Sequence, residues 1–479
     1  MKTKNILLGM LLGVAGLTSC ESWFDISPKT DMKADELFQN EDGFRDVLTG
    51  AYALMSTEHA YGKELTFGFT DVLARYYNQE RINNESHEYC KSFQYLYKEP
   101  KEKEIAENIW FTQYKAISNL NTILERIDKS KQAFNTETIW RIYKGEALAL
   151  RGFMHFDLLR LFAPSPKTDM ETKAIPYMEE LTNVAPIRST VKEVLEKVIR
   201  DLNEAKELMR DVDSYGPNYA DLNELYKNDK QLRNRKYHLN YYAITALLSR
   251  VHLYAGNTAE ALKAAQEIIG QPGDKPVSPF ELEKTFDQSA PLSNNEILFG
   301  LEMPQLVNVI DPYFGAEASD LGMLTSDEVL ACSADKLEAL FETENPADND
   351  FRKIAWFGAT SDPKYSIPSK LIHQELMPLI KISELYFIAA ECTGGEQGLA
   401  YLNQLRKHRG LSDLTLTENL QKEIYKEYCK EFLNEGQMFY YYKRNNLSNI
   451  GVLETISIDP KEVYSIPLPT DEQDYGNNN

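Results

Sequence analysis

The sequence predicts a mainly α-helical fold interrupted by long irregular insertions. Apolar residues recur at helical spacing, polar capping residues precede those stretches, and the segments between them carry Pro, Gly and Asn without periodicity. Glu41-Asp42-Gly43 opens an amphipathic stretch to about Met55. Ile105, Ile109, Trp110, Ile117, Leu120, Leu124 and Ile127 mark one face of the next. Thr136 starts a third, which runs to Phe162 and is stopped by Pro164 and Pro166. Ser189-Thr190 caps a fourth that reaches Met209. Residues 241–254, 258–269, 381–391, 397–408 and 418–434 complete the set. Segments at about 73–100, 211–236, 271–330 and 343–378 read as long loops with short strands at most. One helical domain over 41–479, decorated with those insertions, is expected.

One helix pair is more informative. Residues 241–269 read as helix, Gly256-Asn257 turn, helix. Small residues at Ser249 and Ala261 would let the two helices approach closely, as the tetratricopeptide repeat requires. A looser copy spans 385–410, with Gly394-Gly395 at its turn and Ala400 as the small residue of its second helix. The copies do not repeat at a fixed period, so interrupted pairs are expected instead of a tandem array.

The chain has 479 residues, 43% of them hydrophobic and 11% aromatic, with 28 tyrosines, enough to bury a sizeable core. It carries 52 Lys+Arg against 73 Asp+Glu, a net charge of −21. That balance excludes a general nucleic-acid binder and disfavours attraction of polyanionic glycans. The first residues read as an address. Lys2 and Lys4 precede a run from Ile6 to Leu17 that is apolar or glycine throughout, too short to span a bilayer. It ends in Leu17-Thr18-Ser19-Cys20, a sequence similar to the lipobox of bacterial lipoproteins. Residues 1–19 are therefore expected to be a signal peptide, Cys20 the lipidated residue, and 20–40 a tether.

Catalytic motifs are missing from the sequence. There is no Gly-x-Gly, Gly-x-Ser-x-Gly, His-Glu-x-x-His or Cys-x-x-Cys. No cofactor or metal ligand set is read, and Cys90, Cys332, Cys392 and Cys429 lack metal-like spacing. A glycosidase would need two carboxylates flanking a bond, and no spacing singles out a pair. Arg151, Asp157, Glu431 and Glu435 lie at helical spacing, where charges more often fix helix packing. His155, Trp110 and Trp140 read as core. Binding leaves a different mark, because sugars present apolar C–H faces ringed by hydroxyls and suit aromatic platforms beside amide and charged groups. Two loops carry that mixture. The first holds Tyr76, Tyr77, Asn78, Asn83 and Asn84, with His87, Tyr89, Phe93 and Tyr95 following. The second holds Asn308, Asp311, Tyr313 and Phe314. Arg352 with Trp356 is a third candidate.

Several segments, in order along nearly the whole chain, resemble the SusD/RagB family of outer-membrane nutrient-binding lipoproteins. They begin with Asp25-Ile26-Ser27-Pro28, Asp35-Glu36-Leu37-Phe38 and Leu48-Thr49-Gly50-Ala51-Tyr52. The helix from Glu146 to Phe162, containing Ala149-Leu150-Arg151-Gly152-Phe153, matches the family's most recognisable stretch. It departs only in continuing Ala163-Pro164, where a Gly and a Pro are usual. Residues 380–391, Leu402-Asn403-Gln404-Leu405-Arg406, 430–436 and Tyr464-Ser465-Ile466-Pro467-Leu468-Pro469 follow. The resemblance implies tetratricopeptide-like helix pairs in a right-handed superhelix, with the loop-rich portion carrying the ligand. It also implies a non-enzymatic surface lipoprotein of the outer membrane. Such a protein would capture an oligosaccharide, or a peptide in the RagB branch, and pass it to a SusC-type TonB-dependent barrel. It would touch the membrane through its lipid alone. A surface glycoside hydrolase and an adhesin or pilus-type structural lipoprotein are the remaining alternatives.

Overall fold

The computed structural model describes residues 36–218, 232, 235–285, 288–315, 326–342, 349–415 and 419–476. Cys20, the leader and most of the tether lie outside the described residues. Eleven of the described helices carry the architecture. They are α1 (Glu41–Met55), α2 (Pro100–Ile127), α3 (Glu137–Phe162), α4 (Val191–Met209), α5 (Tyr241–Tyr254), α6 (Thr258–Ile269), α7 (Leu306–Phe314), α8 (Ile382–Thr393), α9 (Gly395–Lys407), α10 (Leu420–Glu431) and α11 (Met438–Asn445).

The capping chemistry sets most of the starts. Asn40 accepts the Gly43 N–H at the head of α1, Thr136 accepts that of Ile139 before α3, and Asn240 accepts that of Ala243 before α5. Thr190 and Glu193 form a reciprocal capping box at α4. The start of α2 lies earlier than its apolar periodicity indicates. Its first turn is Pro100-Lys101-Glu102-Lys103, where proline pre-sets the helical φ and no apolar stripe is needed. Conversely, α10 stops at Glu431, and Asn434 beyond it adopts a left-handed φ of 62°. No amphipathic signal marks α11, because Met438 to Lys443 are all buried.

Four helix pairs, α1–α2, α3–α4, α5–α6 and α8–α9, pack within themselves and against one another in sequence, through α2–α3, α4–α5 and α6–α8. Small residues occupy the close crossings. Ser249 and Ala261 are fully buried, and the Ser249 hydroxyl donates to the Ala261 carbonyl at 2.8 Å. On α3, Gly145 and Gly152 face Met209 and Leu202 of α4; a Cβ at Gly145 would lie 2.9 Å from the Met209 methyl. In the α8–α9 pair the small residue at the crossing is Gly398, where a Cβ would fall 2.6 Å from the Ala390 carbonyl oxygen. Ala400, expected to play that part, is exposed. It sits two positions along the helix, roughly 200° around the axis from Gly398.

The insertions hold more regular structure than their composition signals. Strands β1 (Ile297–Glu302) and β5 (Leu376–Lys381) pair antiparallel, with Phe299 opposite Ile380. Buried along nearly their whole length, they read as short apolar runs with no alternation to betray them. A second small sheet has the order β2 (Cys332–Ser333), β4 (Tyr365–Pro368), β3 (Phe357–Ala359), and a hairpin joins β6 (Asn449–Ile450) to β7 (Ile456–Ser457). Cys90, Cys332, Cys392 and Cys429 are free thiols.

A buried ionic cluster joins the insertions to the helix pairs. Glu431, at the end of α10, accepts from Arg409 at 2.9 and 3.0 Å, from Lys381 at 2.9 Å and from Arg352 at 3.1 Å. Arg409 also holds Glu296, before β1, at 2.8 and 2.9 Å. Glu427, one turn back, accepts from Arg352 at 2.6 Å and Arg406 at 2.8 Å. Glu435 accepts from Lys370 at 2.5 Å and lies 2.7 Å from Lys381. Burial works against ionised Glu431, but Arg409, Lys381 and Arg352 more than offset it and hold the carboxyl well below the usual range. The other sequence-singled charges also fix helices. Arg151 ties Asp201 of α4 at 2.6 Å to Asn121 of α2 at 3.0 Å, and Asp157 accepts from Tyr61 at 2.9 Å. His155 is fully buried; its Nε2 accepts the Met178 N–H, leaving Nδ1 to donate to the Arg151 carbonyl.

Two predictions follow from this packing. Ala261→Leu at the α5–α6 crossing should lower unfolding free energy by about 1–3 kcal/mol, with Ala400→Leu nearly neutral, in parallel urea titrations. Glu431 stays ionised in the folded chain below the pH of about 4.3 at which an unfolded glutamate protonates. Its stabilisation is therefore complete above that pH and declines as pH falls toward the depressed folded value. Glu431→Gln should cost ~3–5 kcal/mol at neutral pH, and the gap to wild type should narrow steadily in acid below about pH 4.

Candidate functional site

The two loops singled out in the sequence meet on one side of the molecule. The path starts at the short helix Phe69–Leu73, after which Arg75 adopts a left-handed φ of 60° and turns the chain. Asn78 then fixes the next segment in three ways. Its N–H donates to the Ala331 carbonyl at 2.8 Å, its Nδ2 to the Ser333 hydroxyl at 2.6 Å, and its Oδ1 caps the helix Gln79–Ile82. Arg81 donates to the Ser326 carbonyl at 2.7 Å, Ser86 to Asp327 at 2.8 Å, and the Glu88 N–H to Glu328 at 3.1 Å. Residues 78–88 and 326–333 are thereby stitched together.

Beneath this seam lies a polar base. The Tyr313 hydroxyl, from α7, donates to Glu88 at 2.6 Å and accepts from the Lys63 ammonium at 3.1 Å. Lys63 also reaches Glu64 at 3.1 Å, and Tyr89 donates to the other oxygen of Glu64 at 2.9 Å. Burial alone would depress Lys63; Glu64 and Glu88 reverse that and keep it charged. Burial raises the Tyr313 phenol, with Glu88 adding to the effect, so it remains a donor. His87 is 3% exposed, and burial lowers it to about 4, leaving it neutral at physiological pH.

Above the base, Asn83, Asn84, Ser86, Gln94 and Asp327 are exposed, and Gln94 donates to Asn83 at 3.2 Å. The Arg81 guanidinium stands 5.9 Å from the ring centroid of half-buried Tyr365 on β4. The patch thus offers amides, a cation, a carboxylate and a half-buried aromatic ring on a hydrogen-bonded floor. Such a surface can hydrogen-bond hydroxyls and stack a C–H face. Among the described residues no group of three or more His, Cys, Asp or Glu side chains converges as metal ligands.

Of the sequence-predicted residues, Asn78, Asn83, Asn84 and Tyr313 come together here, with Asp311 half-buried on α7 nearby in sequence. Six are buried, Tyr313 among them at 8% exposed, which corrects the expectation that they line an open site. Tyr76 and Tyr77 are 2% exposed; their hydroxyls donate to the carbonyls of Cys429 and Phe67 at 3.0 and 2.6 Å. Their segment is sandwiched between α10 and the Phe67 turn, so consecutive tyrosines both bury and each phenol finds a backbone acceptor. Phe314 packs on Phe67 with ring centroids 5.3 Å apart. Arg352 belongs to the ionic cluster. Trp356 donates to the Pro291 carbonyl at 2.6 Å and carries the Lys370 ammonium 4.0 Å from its ring centroid. Arg81, Ser86, Asp327 and Tyr365 were not singled out in the sequence. Tyr365 belongs to a segment without periodicity, and only the pairing of β4 with β2 brings it to the rim.

Comparisons with known proteins agree with this architecture. A SusD-like family described as "Starch-binding associating with outer membrane" matches residues 22–220. SusD-like protein P38 of Formosa agariphila is 26% identical over 225 residues, which cover 44% of this chain and 39% of that protein's length. A SusD superfamily protein from Bacteroides thetaiotaomicron superposes with a TM-score of 0.67 at 23% identity, over 91% of this chain and 98% of its own. A SusD-like carbohydrate-binding protein from Bacteroides vulgatus does so with a TM-score of 0.63 at 20% identity, over 86% of this chain and 84% of its own. At those identities the structural likeness bears on the fold. Among the described residues no helix is long and apolar enough to cross a membrane. The amino-terminal part of the chain is thus similar in sequence to SusD-like proteins, and its fold is that of SusD superfamily structures over nearly the whole length.

Proposed function

We propose that this chain captures an oligosaccharide on the patch bounded by Asn83, Asn84, Arg81 and Tyr365 and hands it to a SusC-type TonB-dependent barrel. The single observation that carries the reading is the convergence of the two loops on one exposed, amide-rich rim over the Lys63–Glu88–Tyr313 base. The floor is prefixed by buried hydrogen bonds, so little ordering entropy is spent on binding. The rim supplies both donors and acceptors, as hydroxyl-rich ligands require. Support also comes from the family's description as starch-binding and associating with the outer membrane, and from the carbohydrate-binding relative. The acidic chain favours neutral glycans over sulfated or uronic ones. Asp311 lies close in sequence to Tyr313 and extends the same side.

In this reading Cys20 bears the lipid that holds the protein at the outer-membrane surface, and the residues between it and buried Phe38 give it reach. Chemistry on the ligand is not part of the role; the carboxylates of the base are engaged with Lys63, Tyr89 and Tyr313.

Calorimetric titration of the mature chain against a panel of neutral oligosaccharides and short peptides tests the proposal. Saturable binding of a glycan without release of products is expected. Asn84→Ala or Tyr365→Ala should weaken it about tenfold, equivalent to ~1.4 kcal/mol. Binding only by peptides would transfer the role to the peptide-capturing branch. Product release abolished by one carboxylate substitution would make the protein a hydrolase. Gentle solubilisation of membranes should also recover the chain with a TonB-dependent barrel, and its absence would sink the handover step.

A further inference from the structure

A cleft of about 260 Å³ separates the first turns of α2 from the segment near the carboxyl end of the chain. Its apolar lining is Tyr97, Ala106, Pro467, Leu468 and Pro469, and the Tyr97 hydroxyl is already engaged by the Val463 carbonyl at 2.9 Å. Glu107 of α2 accepts the Thr470 N–H from the opposite wall at 3.4 Å. Lys98 and Lys103 stand exposed at the edge, and among the described residues neither has an ion-pair partner. One aromatic ring fills a cavity of about 150 Å³, so the cleft takes a ring and a second apolar side chain. Its chemistry suits an extended apolar segment carrying a negative charge.

The chain itself supplies such a segment. Between Cys20 and Glu36, where the described residues begin, lies Trp23-Phe24-Asp25-Ile26, three large apolar residues in four on a stretch that needs none to act as a spacer. In an extended chain Phe24 and Ile26 share one side, and Asp25 takes the other. Apolar floor and basic edge match those two sides. The length matches as well. The described chain starts beside the far end of α2, where the Arg126 guanidinium stands 5.6 Å from the Phe38 ring centroid. From Arg126 back to Ala106 the helix covers about 30 Å, at roughly 1.5 Å per residue. The run from Glu36 to Ile26 or Phe24 spans up to about 33–43 Å when extended.

We propose that this cleft is the docking site of the chain's own amino-terminal segment, with Phe24 and Ile26 on the apolar lining and Asp25 between Lys98 and Lys103. The reach of the tether is then taken up along α2. The consequence rests on the lipid-anchor reading above: Cys20 leaves the body beside the start of α2, and only a few residues separate the lipid from the cleft. That end of α2 faces the membrane, and the body is held in one orientation instead of swinging on a long leash.

The test uses the mature chain carrying Cys20→Ser, which needs no lipid, glycan or barrel, so its failure is distinguishable from failure of the capture reading. A water-soluble carbodiimide couples a carboxylate to an ammonium in contact, the carbodiimide taking up the water as a urea, and the products are digested and mapped by mass. An amide from Asp25 to Lys98 or Lys103 within one molecule is expected. Lys98→Arg/Lys103→Arg keeps the charges and should abolish it. Phe24→Ser/Ile26→Ser keeps Asp25 and both lysines and leaves the described body intact; it should lower the yield at least tenfold and speed amide exchange at 467–473. Asp25 cross-links scattered over many lysines, or a yield and exchange unchanged in the serine variant, would overturn the proposal in favour of a free tether. Cross-links found only between two molecules would overturn it in favour of a second copy as the occupant.

Discussion

The Glu431 carboxylate is the point on which the rest of this molecule depends. Three cations from three separate parts of the chain converge on it. Arg409 arrives from the end of α9, Lys381 from the end of β5, and Arg352 from the insertion before β3. Removing a charge pair from water is expensive, and the mutual attraction repays it only when every partner is present and well placed. The cluster therefore acts less as a source of stability than as a condition. Unless the insertion at 349–356 and the β1–β5 pair are docked, charges stay buried and unmatched. This is how a chain of paired helices enforces one arrangement on long segments that lack strong propensity of their own.

The same logic reaches the proposed binding face. Trp356 and Lys370 brace the cluster from the insertion side, and Lys370 donates to the carbonyls of Glu431 and Leu433 at 2.9 and 2.8 Å. From there the chain turns through Asn434 and Gly436, whose N–H groups bond the buried Asp71 at 2.7 and 3.1 Å. Asp71 lies on the short helix that leads into Tyr76, Tyr77 and Asn78. A continuous line of backbone and side-chain hydrogen bonds thus runs from the ionic cluster toward the floor of the patch. Its effect is to fix Asn78 and Tyr313 in place, while Asn83 and Asn84 stay exposed and Tyr365 half-buried.

Legibility in the sequence varied with the kind of signal. Several helices were read to within a residue or two, although α2 starts earlier and α10 stops earlier than their patterns indicate. The bounds of α5 and α6 agree in every position, because the Asn240 cap and the Gly256 turn bracket them even though α5 is buried on nearly every side. Where burial is all-round, as in α11 and the β1–β5 pair, periodicity vanishes and nothing local distinguishes helix from strand. The two loops proposed to carry the ligand meet in the structure, but their individual aromatics were not sorted by the sequence. A tyrosine suits a core with a backbone acceptor as well as it suits a ligand, and Tyr76 and Tyr313 look alike until their surroundings are known.

By itself, then, the amino-acid order determined the helical class, the small residues at the α5–α6 crossing and the likeness to SusD-like proteins on the amino-terminal side. These follow from local spacing, capping and ordered motifs, which any single stretch of chain displays. Only the tertiary structure decided which charges are buried partners, that Gly398 and not Ala400 sits at the α8–α9 crossing, and that Arg81 and Tyr365 complete the rim while Arg352 and Trp356 do not. Burial is a property of what other segments cover, and here the covering segments lie hundreds of residues away, as the contact of Tyr76 with Cys429 illustrates.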